Sequence, residues 1–168
     1  MTLGIMYAQG QGVPQNDVEA VKWYRLAADR GNAASQLSLA RMYETGRGVP
    51  QSDVEAATWY RRAADQGEPW AQTNLGVKYA RGQGVPQDYI SAYMWFELSA
   101  AQGDQTAVTD RDAAARRMTQ EQIAEAQKLA REWKPKKEEG RRKALTRLFE
   151  KLRRLGDVRR CASSLAAA

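Results

Sequence analysis

The sequence predicts an all-α protein, an α-solenoid of antiparallel helix pairs that repeat every 36 residues. Shifting the chain by 36 residues superimposes three copies of one turn motif without an insertion: Gly10-x-Gly12-Val13-Pro14-Gln15, Gly46-x-Gly48-Val49-Pro50-Gln51 and Gly82-x-Gly84-Val85-Pro86-Gln87. The same shift aligns apolar residues, namely Leu3, Leu39 and Leu75, then Tyr7, Tyr43 and Tyr79, then Trp23-Tyr24, Trp59-Tyr60 and Trp95-Phe96. A single helix pair cannot bury both of its faces, so units of this kind are expected to stack into one core.

The first helix of each unit is predicted from an apolar pair one helical turn apart. Leu39 and Tyr43 stand at i and i+4 in the second unit, as do Leu75 and Tyr79 in the third. A small residue follows each leucine, which predicts a close approach of the two helices: Gly4, Ala40 and Gly76. The matching helix of the first unit would begin before Met1, so we expect either a natural start upstream or a fragment of a longer array.

The second helix has signals at both ends. Its N-cap is predicted at residues whose side-chain oxygen can accept from a first-turn backbone N–H: Asn16, Ser52 and Asp88. Glu19 and Glu55 follow three residues after the first two, which predicts capping boxes there. The predicted buried stripe of this helix comprises Ala20, Trp23, Tyr24 and Ala27 in the first unit. Left-handed glycines are expected to end the helix at Gly31, Gly67 and Gly103.

The three units resemble the Sel1-like repeat, a relative of the tetratricopeptide repeat. The match is LGIMY, GQGVPQND and AVKWYRLAA in the first unit, LARMY, GRGVPQSD and AATWYRRAA in the second, and LGVKY, GQGVPQD and AYMWFELSA in the third. The resemblance implies a right-handed superhelix with units at about residues 1–32, 33–68 and 69–104. Phe96 and Ser99 depart from the Tyr and Ala of the pattern without threatening the packing.

Residues 105–133 are predicted to form a capping helix pair that closes the array. Thr119 and Gln122 predict a capping box, and an apolar stripe follows at Ile123, Ala126, Ala130 and Trp133. The segment also provides the polar outer face that a terminal repeat needs, at Asp110, Arg111, Asp112, Arg116 and Arg117.

The net charge of +6 is divided unevenly along the chain. Residues 1–133 carry 14 basic and 16 acidic side chains, whereas residues 134–168 carry 12 basic and 4 acidic ones. We refer to residues 134–168 as the tail, and its pattern predicts an amphipathic helix at about 139–156. Such a helix is expected to bind an acidic partner, nucleic acid or an anionic membrane surface, or to dock on the solenoid. The alternative is a tail that is simply solvated.

Composition excludes several classes of enzyme. The chain has no histidine and a single cysteine, Cys161, which removes Ser-His-Asp and Cys-His nucleophiles and the HExxH zinc site. The glycine-rich turns lack the preceding strand and the Lys-Ser/Thr of a phosphate-binding loop. Cysteine-rich members of the resembling family have been linked with β-lactamase activity, but this chain lacks their disulfides and the S-x-x-K and K-T-G motifs. We therefore expect no catalytic site, no cofactor and no metal site.

The location of the protein is left open by the sequence. Residues 1–15 contain no signal peptide, and no apolar run approaches the roughly 18 residues of a membrane span. The chain as written is expected to be cytoplasmic, and periplasmic or secreted if its natural N-terminus lies upstream.

A second stripe on the first helices predicts a partner-binding surface. It comprises Ala34, Leu37, Arg41 and Glu44 in the second unit and Trp70, Thr73, Val77, Ala80 and Arg81 in the third. The resemblance implies that these helices line the concave side of the solenoid. Because Trp and Arg are enriched in interface hot spots, Trp70 stands out, with packing against Pro69 and a neighbouring helix as the alternative. The sequence thus predicts a non-enzymatic scaffold that binds a protein or peptide in this groove, and the alternative assigns binding to the basic tail.

Overall fold

The computed structural model describes residues 3–136, which form eight α-helices and no strand. They are α1 (Leu3–Gln9), α2 (Asp17–Asp29), α3 (Ala33–Thr45), α4 (Asp53–Asp65), α5 (Pro69–Arg81), α6 (Tyr89–Ala100), α7 (Gln105–Ala115) and α8 (Gln120–Glu132). Helices α1 and α2, α3 and α4, and α5 and α6 form three pairs that stack on one another. The last two helices differ from the predicted capping pair, because α7 and α8 both pack on α6 rather than on each other. The predicted all-α solenoid is confirmed.

The chain divides into two compact units, Met1–Pro135 and Lys136–Ala168. The predicted tail helix at about 139–156 and Cys161 lie outside the described residues. Within residues 3–136, no helix is both long and apolar enough to cross a membrane.

The predicted N-caps of the second helices are present, but their capping boxes are not complete. Asn16 Oδ1 accepts from the backbone N–H of Glu19 at 3.1 Å, and Ser52 Oγ accepts from that of Glu55 at 3.3 Å. The reverse bond predicted from Glu19 and Glu55 is absent because the backbone N–H groups of Asn16 and Ser52 donate to carbonyls of the preceding helix, at 2.9 and 3.0 Å. The capping box predicted at Thr119 and Gln122 is complete.

The repeated turn motif fastens each unit to the one before it. Gly48 has a φ of +70°, and a Cβ at this position would overlap the backbone oxygen of Asp17 at the start of α2. Gly84 has the same relation to Asp53 at the start of α4. The turn glutamine also has a fixed role, since Gln51 Nε2 donates to the Glu44 carbonyl at 3.0 Å. Glycine is therefore required both for its left-handed backbone and for the close approach of successive units.

The core follows most of the predicted apolar positions, with exceptions in α1 and α2. Leu3, which aligns with Leu39 and Leu75, is 42% exposed. Leu39, Tyr60 and Leu75 are fully buried, as expected. In α2, however, Ala28 is buried where Ala27 was predicted, and the Trp23 side chain is 37% exposed. The tryptophans at the same position in the next two units are covered by other side chains: the Arg62 guanidinium lies 4.4 Å from the ring centroid of Trp59, and Trp133 packs edge-to-face on Trp95 at 6.1 Å.

Candidate functional site

The predicted partner-binding stripe lies on α3 and α5, and most of its residues reach the surface. Arg41 and Arg81 are exposed, and Leu37 and Val77 are half-buried. The Trp70 side chain is 60% exposed at the start of α5, so it is not buried against a neighbouring helix. We refer to these five residues as the first-helix row: Leu37, Arg41, Trp70, Val77 and Arg81.

Thr73 does not belong to this surface, because its side chain joins three helices. It is only 6% exposed. Its hydroxyl donates to Asp104 Oδ2 at 2.6 Å and lies 2.8 Å from the Ser99 hydroxyl. Burial by itself raises the pKa of Asp104, but hydrogen bonds from Thr73 and from two backbone N–H groups outweigh it and hold the pKa below its ordinary value. Since Asp104 is also the N-cap of α7, Thr73 stabilises the start of that helix.

Glu44 likewise serves the fold rather than a free surface. Its Oε2 accepts from the hydroxyl of the fully buried Tyr60 at 2.7 Å, and its Oε1 lies 2.8 Å from Lys78 Nζ. Lys78, which is 2% exposed, also contacts Asp53 Oδ1 at 2.7 Å. These four side chains form an ionic network across α3, α4 and α5. Lys78 was not singled out from the sequence, because a lone lysine in a helix is usually solvated.

A cavity of about 240 Å³ lies where α5, α6 and α7 meet. It brings together Val77 and Arg81 of the first-helix row with residues that the sequence analysis had not assigned to a site: Ala80, Tyr89, Phe96, Asp110, Ala113, Ala114 and Arg117. Burial raises the pKa of Asp110, while the positive charge of Arg81 opposes that rise. The other members of the row do not line this cavity.

A second cavity, of about 260 Å³, lies on α4 and the turn before α6. Its two arginines are already engaged with aromatic rings, because Arg61 lies 5.2 Å from the ring centroid of Tyr79 and Arg62 lies 4.4 Å from that of Trp59. It therefore offers fewer free groups to a ligand than the first cavity. Among residues 3–136, no three His, Cys, Asp or Glu side chains are grouped so that they could hold a metal ion.

Buried glutamines form a second repeated feature that the sequence analysis overlooked. Gln36 and Gln72 stand 36 residues apart, and each donates to a carbonyl at the end of the preceding unit. Each also accepts from a glutamine at the end of its own unit, Gln66 at 2.7 Å and Gln102 at 2.9 Å. The 36-residue shift aligns Gln36 with Gln72 and Gln66 with Gln102. This repeat of glutamines could therefore have been found from the sequence.

Comparisons with known proteins agree with this architecture. The Sel1 repeat family matches residues 3–32, 33–68 and 71–104, more than half of the chain. The chain is similar to the Sel1 repeat protein from Oxalobacter formigenes, with 37% identity and a TM-score of 0.64 over 65% of this chain and 45% of that one. It is also similar to c5321, a protective antigen present in uropathogenic Escherichia coli strains displaying an SLR fold, with 27% identity and a TM-score of 0.65 over 78% of this chain and 36% of that one.

The chain spans less than half the length of either of these two proteins. No curated protein matches it. The three matched repeats, the helix pairs they form and the likeness to two solved structures lead to one assignment. The chain belongs to the Sel1 repeat family.

Proposed function

We propose that this protein is a non-enzymatic scaffold that binds a protein partner along the first-helix row. Sel1 repeats generally mediate protein–protein interactions. The observation that carries the proposal is Trp70, a large apolar side chain that is 60% exposed and belongs to the same row as the exposed Arg41 and Arg81. Tryptophan and arginine are the residues most often found at interface hot spots.

The variation between units supports the same proposal. At core positions the units keep the same type of residue, as in Leu39 and Leu75. On the first-helix row they differ, because Arg41 is replaced by Val77 and the position of Trp70 is Ala34 in the second unit. Packing between units therefore does not fix the residue type along this row, which supports its use by a partner.

Site-specific photo-crosslinking tests the proposal. A benzoylphenylalanine introduced at Arg41 is expected to give a discrete protein adduct in a lysate of cells that express the chain, and Trp70→Ala in the same chain is expected to remove it. The matched control carries the crosslinker at Val54, which is 62% exposed on α4. Equal adducts from both positions, or an Arg41 adduct that persists with Trp70→Ala, would contradict binding along the row.

The tail offers a second candidate function, which its charge favours. With 12 basic and 4 acidic side chains in residues 134–168, it would bind nucleic acid, an anionic membrane or an acidic partner. A peptide of residues 134–168 should then bind a DNA duplex or anionic vesicles with an affinity that falls steeply as salt is added. Binding that is absent, or insensitive to salt, would remove this candidate.

A further inference from the structure

Comparison with the preceding unit explains why there is a cavity between α5, α6 and α7. One unit earlier, the Lys78 side chain fills the equivalent space and contacts Glu44 and Asp53. The Tyr60 hydroxyl donates to the Glu44 carboxylate there. The residues 36 positions later all line the cavity. Ala114 corresponds to Lys78, Ala80 to Glu44, Tyr89 to Asp53 and Phe96 to Tyr60. The cavity is therefore the space that a side chain occupies in the preceding junction and that the small Ala114 leaves open.

Its size and lining favour a single apolar side chain as the occupant. A volume of about 240 Å³ is below the roughly 300 Å³ at which small-molecule sites usually begin. Val77, Ala80, Phe96 and Ala114 form the apolar part of its wall, and Arg81, Asp110 and Arg117 supply charged groups. The preceding junction holds the Lys78 side chain in the equivalent space, which indicates that one side chain can be accommodated here.

The rim of the cavity carries an excess of positive charge. Arg81 and Arg117 stand 36 residues apart, and both line it. Neither guanidinium makes a hydrogen bond or an ion pair within 4 Å among residues 3–136. Asp110 is the carboxylate on the lining, and its single negative charge balances only one of the two arginines. Arg116, the exposed C-cap of α7 and the sequence neighbour of Arg117, adds a positive charge at the end of this helix.

We propose that this cavity binds an acidic segment of the partner protein, with one apolar side chain above Ala114 and flanking carboxylates on Arg81 and Arg117. Arginine binds carboxylates through two parallel hydrogen bonds, and two arginines on separate elements suit two separate carboxylates. For the same reason an internal acidic segment fits better than the single carboxylate of a chain terminus. This inference rests on the proposed function and names the chemistry of the partner.

A defined peptide tests the inference on the full chain. The probe is acetyl-Glu-Glu-Leu-Glu-Glu-amide, titrated into the ¹⁵N-labelled protein while backbone amide shifts are recorded. We expect the amides of Val77, Phe96 and Ala113 to move. A peptide with Gln for Glu and another with Ala for Leu should each bind about tenfold more weakly, because each loses one of the two contacts.

Variants of the protein separate the cavity from general electrostatic attraction. Arg81→Gln and Arg117→Gln should each weaken binding of the peptide about tenfold. Arg131→Gln, on the exposed face of α8, should leave the peptide affinity unchanged. Ala114→Met introduces the residue found at this position in the second unit, Met42. It should fill the cavity, abolish the leucine-dependent part of the binding and raise the melting temperature.

Three results would overturn the inference: no movement of the cavity amides, equal binding of the Gln peptide, or tighter binding of acetyl-Gln-Gln-Leu with a free carboxylate. Its failure can be told apart from failure of the proposed function. If the Arg41 crosslink still forms and still depends on Trp70, the scaffold proposal stands and only the cavity is excluded as its acidic-segment site.

Discussion

At the scale of single residues, the network around Lys78 shows how a buried charge is tolerated. Lys78 Nζ lies between Glu44 and Asp53, whose side chains remain 34% and 41% exposed and so keep part of their hydration. Burial by itself lowers the pKa of Lys78, but hydrogen bonds to Asp53 and Glu44 outweigh it, so the pKa lies above its ordinary value. The ammonium is therefore charged at neutral pH and ties α5 to α3 and α4.

Removing one member of this network should reveal its contribution to stability. Glu44→Ala deprives Tyr60 of its acceptor and Lys78 of one of its two carboxylates, so we expect the free energy of unfolding to fall by about 3 kcal/mol. Tyr60→Phe leaves the ion pairs intact and should cost only about 1 kcal/mol. Urea unfolding measures both. If Glu44→Ala is no worse than Glu125→Ala, an exposed change on α8, the network does not stabilise the fold.

Alkaline pH should weaken the fold through the same residues. Burial, followed by the hydrogen bond to Glu44, raises the pKa of Tyr60 far above its ordinary value of 10.0. Because the folded state keeps this proton while the unfolded chain loses it above about pH 10, stability is full below that pH and falls as the pH rises further. The raised pKa of Lys78 acts in the same direction. Melting temperatures measured between pH 8 and about pH 11 should fall less steeply in Tyr60→Phe than in the wild type, and parallel curves would contradict this assignment.

At the scale of elements, the turn between paired helices also joins one unit to the previous one. The backbone oxygens of Asp17 and Asp53 lie where a Cβ on Gly48 or Gly84 would stand. Gly12 has the same positive φ but meets only the Met6 Cε, at 3.7 Å. The second glycine of the motif thus provides a left-handed backbone in all three units, and in the second and third units it also allows close approach to the preceding unit.

Substitution of the second glycine should separate these roles. Gly12→Ala has only the strain of a left-handed alanine, about 1–2 kcal/mol. Gly84→Ala adds overlap with the first turn of α4, so it should lower the free energy of unfolding by about 1–3 kcal/mol more. Chemical denaturation of the two variants is the measurement. Equal losses would mean that the turn does not fasten one unit to the next.

The same elements show what helix periodicity can and cannot predict. It assigned the N-caps, the turns and most core positions correctly, because these depend on contacts that recur within every unit, but the capping boxes at Asn16 and Ser52 were wrong. It misplaced Thr73 and Glu44, since periodicity identifies the side of a helix on which a residue lies but not the neighbour that covers it. Thr73 is covered by Ser99 and Asp104, and Glu44 is held by Tyr60 and Lys78. Trp23 was predicted to be buried but is exposed. Its equivalents Trp59 and Trp95 are covered by the side chains of Arg62 and Trp133.

At the scale of the whole molecule, three units and two closing helices form a solenoid whose surface differs from unit to unit. The solenoid was predictable because the 36-residue shift aligns its core and turns without an insertion. The cavity was not predicted, although Ala114 stands 36 residues after Lys78, because the space depends on which side chain fills each junction. Several of the residues that differ between units lie on the first-helix row, which is why we propose that row as the binding surface.

The affinity of the captured partner for three forms of the chain tests binding along the first-helix row most directly. Isothermal titration at two salt concentrations would compare the wild type, Trp70→Ala and a chain ending at residue 136, which lacks all of the tail except residues 134–136. Loss of a hot-spot tryptophan, worth about 2 kcal/mol or more, should weaken binding by about 30-fold in Trp70→Ala. The shortened chain should keep most of the affinity and show little dependence on salt beyond that of the wild type. Binding that survives Trp70→Ala but disappears with the tail, and that weakens steeply as salt is added, would contradict the scaffold and assign the function to residues 137–168.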